Sequence, residues 1–186
     1  MGVGGGLNLD ELRATATLAE NGYHRFPAPY RQMSVTREEA DFLYAIVRAT
    51  RPLRVLEIGA GLGLTAFFIA HALAENDEMG AVVTVEPVWE LAKQAHDLLD
   101  GMPAKIVNDV APFAEWGHKP DLVYIDSGQK YRANDITTWL TNGYTGPVLV
   151  HDAERNYPEI AAGVGVYIPT ANGMWLGRSR KATEAT

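Results

Sequence analysis

The chain has 186 residues, 47% of them hydrophobic and 21% charged, with a formal net charge of -7 and no cysteine. That balance fits an ordinary soluble globular protein long enough to bury a sizeable core. It excludes disulfides, thiolate metal sites and cysteine nucleophiles, and it offers no basic stripe for nucleic acid.

No apolar run reaches the roughly 18 residues needed to cross a membrane. The glycine-rich start, Met1 to Gly6, lacks the basic and apolar regions of a secretion signal and is expected to be disordered. A cytoplasmic protein with neither a nucleic-acid nor a membrane partner is therefore expected. A single domain is expected over residues 1–186, with N-terminal helices and a candidate lid over 7–50, a core over 51–178 and a tail over 179–186.

In chain order, Asn8 to Glu20 reads as a helix, N-capped by Asn8 and stopped by Asn21-Gly22. Tyr23 to Arg31 reads as a loop with two prolines, three aromatics and His24. Thr36 and Glu39 form a capping box for a helix whose apolar residues Ala40, Leu43, Tyr44 and Val47 keep helical spacing until Arg51-Pro52. Strands and helices then alternate. Strands are expected at Leu53–Ile58, Ala81–Val85, Ala104–Val107, Leu122–Ile125 and Pro147–Val150. Helices are expected at Leu64–Ala74, from Val88 to Leu99, and around Ala133, Ile136, Trp139 and Leu140. The acidic cluster Glu75 to Glu78 reads as a solvated turn, and the tail from Ser179 as frayed. Gly163–Ile168 and Gly173–Arg178 read as a closing hairpin. This order implies an α/β, Rossmann-like doubly wound sheet, mostly parallel, with an antiparallel C-terminal hairpin. Ligands bind such sheets at the carboxyl ends of the strands.

Four carboxylates stand at or just after strand ends: Glu57, Glu86, Asp126 and Asp152, with Asp109 close behind the third strand. After Glu57 come Gly59, Gly61 and Gly63 at alternate positions, then Thr65 and an apolar helix. Glycines admit positive φ and a close ligand, and the helix start offers unpaired N–H groups to an anion. A dinucleotide loop wants Gly-x-Gly-x-x-Gly, but Leu64 stands where the third glycine belongs when counting from Gly59. Shifting the count to Gly61 leaves Glu57 facing a phosphate to no benefit. S-adenosylmethionine suits the pattern better. Glu57 can stabilise its ammonium, loop amides and the Thr65 hydroxyl its carboxylate, Glu86 both ribose hydroxyls, and Asp109 the adenine amino group.

Together these segments resemble the class I S-adenosylmethionine-dependent methyltransferases, specifically the O-methyltransferases similar to catechol O-methyltransferase. The resemblance runs from about Met33 to Asp152. Met33-Ser34-Val35 matches a segment covering the methionine part of the cofactor. Val55 to Thr65 matches the glycine motif, Val85-Glu86-Pro87 the ribose acid and Asn108-Asp109-Val110 the adenine motif. Asp121 to Asp126 and His151-Asp152 match the fourth- and fifth-strand motifs. The resemblance implies methyl transfer from the sulfonium to a hydroxyl of a small-molecule acceptor, with in-line alignment and removal of the acceptor proton by a base or by a metal.

Two departures bear on that chemistry. Relatives read Ile-Asp-Gly-Asp-His-x-Tyr after the fourth strand, whereas this chain reads Ile125-Asp126-Ser127-Gly128-Gln129-Lys130-Tyr131. Gln129 cannot act as a base, and Lys130 is the substitute to weigh against a solvated lysine. In metal-dependent relatives two strand-end aspartates and a further Asn or Asp hold Mg2+ or a similar divalent cation. Asp126 and Asp152 fit the first two, Ala153 stands in the third position, and Glu154 or water would have to complete the shell. His151 is expected to face a helix layer as a structural group, since adjacent strand residues point to opposite faces. His71, His96 and His118 are expected to be structural or solvent-facing, and Trp89, Trp116, Trp139 and Trp175 to pack in the core or on the sheet. The site is open, or covered by the lid from Tyr23 to Arg31, or completed by a second subunit in a homodimer. Two other readings stand beside methyl transfer: a non-catalytic S-adenosylmethionine-binding protein and an NAD-dependent oxidoreductase.

Overall fold

The apolar runs become strands β1 (Arg54–Ile58), β2 (Ala81–Val85), β3 (Ala104–Val107), β4 (Leu122–Ile125), β5 (Val148–His151), β6 (Gly163–Ile168) and β7 (Met174–Ser179). The structure is a computed structural model that describes residues 23–31, 34–76, 80–109 and 120–180, the side chain of Tyr157 excepted. The strands make one seven-stranded sheet in the order β3-β2-β1-β4-β5-β7-β6. Pairing is parallel from β3 through β5 and antiparallel at β5–β7 and β7–β6. The chain winds outward from β1 to β3, then returns to place β4 on the other side of β1. The switch point, where a crevice opens above the strand ends, lies between β1 and β4.

The helices are α1 (Ala28–Arg31), α2 (Arg37–Thr50), α3 (Leu64–Ala74), α4 (Trp89–Leu98), α5 (Gln129–Thr141) and α6 (Tyr157–Ile160). Alternation along the strands sorts side chains into two layers. Leu56, Ile58, Val123, Ile125, Val148 and Val150 pack with Ile136, Trp139 and Leu140 of α5. Val55, Leu122, Tyr124 and Leu149 pack on the other face with Leu43 and Val47 of α2 and Ile69 and Leu73 of α3. Helix α3 is apolar on nearly every side and is buried accordingly. Helix α2 carries the expected capping box: Thr36 N–H donates to Glu39 Oε2 at 2.8 Å and Glu39 N–H to Thr36 Oγ1 at 3.3 Å, a pair contributing about 1 kcal/mol.

Several expectations need correction. Ala28–Arg31 is a helical turn inside the segment read as a loop. Within the turn expected over Glu75 to Glu78, Glu75 is half-buried and Asn76 buried, while Asp77 and Glu78 lie outside the described residues. Glu75 accepts a hydrogen bond from the Tyr44 hydroxyl and pairs with His71 at 3.3 Å. The buried Asn76 amide accepts from Arg48 at 3.1 Å, so the turn ties α3 to α2. Trp89 opens α4 at 62% exposure, while Trp139 and Trp175 are buried as expected. Ser179 is a buried strand end, not a frayed one. The helix expected over Asn8–Glu20, together with Met33, Val110, Trp116 and His118, lies outside the described residues. No helix among the described residues is long and apolar enough to cross a membrane.

Candidate active site

A cavity of about 490 Å³ opens at the carboxyl ends of β1, β2 and β4. Of the candidate residues, Gly59, Gly61, Thr65, Glu86, Asp109 and Asp126 line it, together with Tyr30, Ser34, Ser127, Tyr131 and Arg132. The glycine loop is shaped by backbone demands. Gly59 has φ 99°, and a Cβ there would sit 2.5 Å from the Asp126 carbonyl oxygen. Gly61 has φ 52°, and a Cβ there would strike the Tyr30 hydroxyl. Gly63, φ 87°, does not line the cavity. It starts α3 and lets Ala95 of α4 and the Leu99 that follows that helix approach, where a Cβ would lie 3.2 and 3.1 Å from them. No side chain caps α3. Its first-turn amides therefore have no intrahelical partner at a buried helix start beside the cavity.

Glu57 lies beneath the loop, fully buried, and accepts a hydrogen bond from the Thr65 hydroxyl. Its Oε2 has no hydrogen-bond partner among the described residues. Burial, only partly offset by the hydroxyls of Thr65 and of Thr84 on the neighbouring strand, pushes its carboxyl up to about 7, and the nearby Asp126 and Glu86 charges add to the rise. Glu86 accepts from Gly61 N–H at 2.8 Å and from Val88 N–H at 2.9 Å. The Tyr30 hydroxyl, pushed up to about 12 by burial, accepts from Leu62 N–H at 2.9 Å. The loop amides expected to meet a ligand carboxylate at Gly61 and Leu62 are thus held by the protein itself, and at the α3 start the Leu64, Thr65 and Ala66 amides have no partner among the described residues. Val35 is buried among Phe26, Leu62 and Phe67 and does not line the cavity; its neighbour Ser34 does.

Beyond the switch point, the strand-end aspartates meet a cation from the chain. Arg132 of α5 is 5% exposed. Its Nε donates to the Ser127 carbonyl at 2.8 Å, its Nη2 to Asp126 Oδ1 at 2.8 Å and its Nη1 to Asp152 Oδ2. Asp126 Oδ1 also meets His151 Nδ1 at 2.9 Å, and Tyr124 donates to Asp126 Oδ2 at 3.4 Å.

His151 does face a helix layer, its Nε2 lying 3.3 Å from Glu39 Oε2. It also reaches the candidate site, which strict alternation does not predict. Asp152 adopts φ 53°, so the extended pattern ends there and both side chains converge on one region. Burial opposes the His151 charge, but hydrogen bonds to Asp126 and Glu39 raise its pKa to about 10. Glu39 is fully buried too. Burial works against its ionisation, yet bonds from His151, Thr36, Thr170 and Asn172 hold it far below the usual carboxylate range. It accepts from Thr170 Oγ1 at 2.8 Å and from Asn172 N–H at 2.9 Å, joining α2, β5 and the β6–β7 turn.

A second cavity, about 340 Å³ and polar, is lined by Arg31, Ser34, Thr36, His151, Asp152 and Arg155. It shares Ser34 with the first, so Asp152 faces this second space and not the donor-side one. Lys130 is exposed and lies over the Tyr131 ring at 5.3 Å. It lines neither cavity and has none of the burial that would suit a lysine base.

Arg132, Glu39 and Tyr30 were missed as site residues. Arg132 had a signal: it precedes Ile136 by four residues and shares its helix face with the apolar stripe through Trp139 and Leu140. An arginine on a buried stripe needs a buried anion.

A doubly wound sheet with a glycine loop and acidic strand ends at its switch point defines an α/β protein that binds a nucleoside-bearing ligand. A family model described as a methyltransferase domain matches residues 56–153, and the chain belongs to that family. No curated protein sequence matches the chain. Among solved structures it is similar to SAH-bound methyltransferase PaMTH1 of Podospora anserina, at 16% identity and TM-score 0.66 over 90% of this chain and 88% of that one. It is also similar to the O-methyltransferase TomG of Streptomyces achromogenes, involved in tomaymycin synthesis and solved with SAM, at 18% identity and TM-score 0.65 over 89% of each chain. The SAH complex of an O-methyltransferase from Bacillus cereus aligns at 15% identity and TM-score 0.62 over 96% of this chain and 94% of that one. These likenesses establish the fold, and the family match establishes a methyltransferase.

Proposed function

We propose that the chain transfers a methyl group from S-adenosylmethionine to a hydroxyl of a small-molecule acceptor. The observation that carries this reading is the cavity lined by the glycine loop, Glu86 and Asp109, with the fully buried carboxylate of Glu57 beneath it. The donor set suits that cofactor and suits a dinucleotide poorly. Glu57 faces an ammonium well and a pyrophosphate badly. Glu86 keeps lone pairs for ribose hydroxyls besides the two amides it accepts from. The unpaired amides at the α3 start receive the amino-acid carboxylate, and Asp109 takes the adenine side.

Bound there, S-adenosylmethionine supplies an activated methyl on sulfur, and the O–C bond forms as the S–C bond breaks and the sulfur keeps the pair. The protein aligns the acceptor and disposes of its hydroxyl proton. In this reading Asp152 takes that proton. It lines the neighbouring polar cavity, and among the described residues its side chain is bonded by Arg132. Asp126 is more committed, accepting from Arg132, His151 and Tyr124. Solved relatives described as O-methyltransferases bound to SAM or SAH support the reading.

Calorimetry tests the donor: S-adenosylmethionine and S-adenosylhomocysteine bind, and NAD does not. Labelled-methyl transfer to a panel of catechols, phenols and aliphatic alcohols tests the acceptor. Tight NAD binding would refute the donor assignment, and label incorporated only into amines would refute the hydroxyl.

A further inference from the structure

The geometry points to Arg132 as a built-in cation: its guanidinium occupies the position between Asp126 and Asp152 where a divalent ion would sit, and the chain uses this fixed organic charge in the ion's place. Arg132 is held from three sides, by Ser127, Asp126 and Asp152, and is almost wholly buried. A metal ion bridging the same carboxylates would have to expel it or share the site against its charge. With the guanidinium in place, the neighbouring side chains offer an ion no further ligand. Ala153 follows Asp152 and is buried without a ligating atom. Glu154, the alternative third ligand, is exposed and accepts from the Tyr167 hydroxyl at 2.6 Å. Asp126 Oδ1 already has both His151 and Arg132 as partners. Among the described residues no three His, Asp or Glu side chains form a metal-binding group. A hard cation held by two carboxylates completes its shell with water, and Arg132 takes both those carboxylates and the space between them.

The substitution has a chemical consequence. Arg132 lines the donor cavity, so its charge lies where the acceptor oxygen loses its proton and gains negative character. Unlike a bound ion, that charge does not depend on ion availability. The inference rests on the methyl-transfer reading for its chemistry but not for its test.

The test titrates Mn2+ into the full chain and reads free Mn2+ by electron paramagnetic resonance, with circular dichroism as the check on folding. The wild type is expected to show no binding that Asp152→Asn removes, and the same melting temperature in millimolar MnCl2 as in EDTA. Arg132→Ala is expected to bind Mn2+ roughly 100-fold more tightly than the wild type, with the gain lost on adding Asp152→Asn. If Arg132→Ala does not fold, Arg132→Gln, which keeps two donors without the charge, is read in the same way. Mn2+ binding by the wild type that is lost in both Asp126→Asn and Asp152→Asn overturns the inference. A folded charge-free variant with no affinity for Mn2+ also overturns it. Calorimetry with S-adenosylhomocysteine on the same samples reports separately on the donor site, so a failure there is distinguishable from a failure of the cation assignment.

Discussion

Glu57→Gln separates the stability of the empty fold from the demands of its ligand. Burial raises the Glu57 carboxyl from an ordinary 4.5 to about 7. The folded chain therefore holds a proton that the unfolded chain has released, and stability falls as pH climbs through that window. Linkage puts the loss at about 3 kcal/mol in full, of which about 2.5 kcal/mol falls between about pH 5 and about pH 8. Gln keeps the shape and cannot ionise, so the variant should gain on the wild type by that amount over the same interval. Urea unfolding of both proteins at the two pH values isolates the Glu57 contribution, because every other titrating group is common to them. Binding should move the opposite way. A ligand ammonium beside Glu57 favours the ionised form, so S-adenosylhomocysteine binding near pH 6 should release protons in the wild type but not in Glu57→Gln. Calorimetry in buffers of different ionisation enthalpy reads that release. A variant whose stability advantage does not grow with pH would refute the argument that Glu57 is a desolvated acid kept for a cation.

Three further outcomes follow from the same geometry. Gly61→Ala places a Cβ against the Tyr30 hydroxyl at φ 52° and should cost roughly 2 kcal/mol in urea unfolding; if Tyr30→Ala recovers none of that loss, the clash is not its cause. Glu86→Gln replaces an ionised double acceptor at the cavity wall and should weaken S-adenosylhomocysteine binding by about 1.5–3 kcal/mol in calorimetry, an effect that unchanged affinity would exclude. His151, raised from 6.5 to about 10 by Asp126 and Glu39 against the pull of burial, contributes stability that is complete below about pH 6.5 and lost as pH rises through 10. His151→Gln should therefore be destabilised by on the order of 4 kcal/mol near neutrality and by progressively less in alkali; an equal deficit at both ends of that range counts against a charged imidazole.

The sheet was legible because its strands are short apolar runs bounded by glycine, proline or a carboxylate, and because the signals agree from one level to the next. Ala81–Val85, Ala104–Val107, Leu122–Ile125 and Gly163–Ile168 have the boundaries expected of them. The misreadings at Glu75, Asn76 and Ser179 share a cause: polar residues are assigned to solvent from composition alone. Glu75 and Asn76 look like a surface turn until Tyr44, His71 and Arg48 are brought beside them from α2 and α3, contacts that arise only when those helices pack. Glu39 was recognised as half of a capping box, a local device. Its wider part, anchoring His151, Thr170 and Asn172, spans more than a hundred residues of sequence.

The same distinction divides the candidate site. On the proposed donor side the candidates belong to one strand-loop-helix unit, so spacing alone brings Gly59, Gly61 and Thr65 to the cavity, with Glu57 buried beneath it. Glu86 and Asp109 could be added because parallel strands deliver their ends to one rim. On the acceptor side the arrangement is made by side chains arriving from separate elements: Asp126 after β4, Arg132 from α5, His151 and Asp152 at the end of β5, and Glu39 from α2. Their meeting depends on the left-handed backbone at Asp152, which defeats the alternation rule that had sent His151 away from the site. It depends equally on an arginine whose helical register, not its neighbours in sequence, carries it under the strand ends. With Arg132 in place, Asp126 and Asp152 are read as one ion-paired unit instead of two vacant metal ligands. Under the proposed methyl transfer, proton removal is assigned to the carboxylate with more bonding capacity left, Asp152.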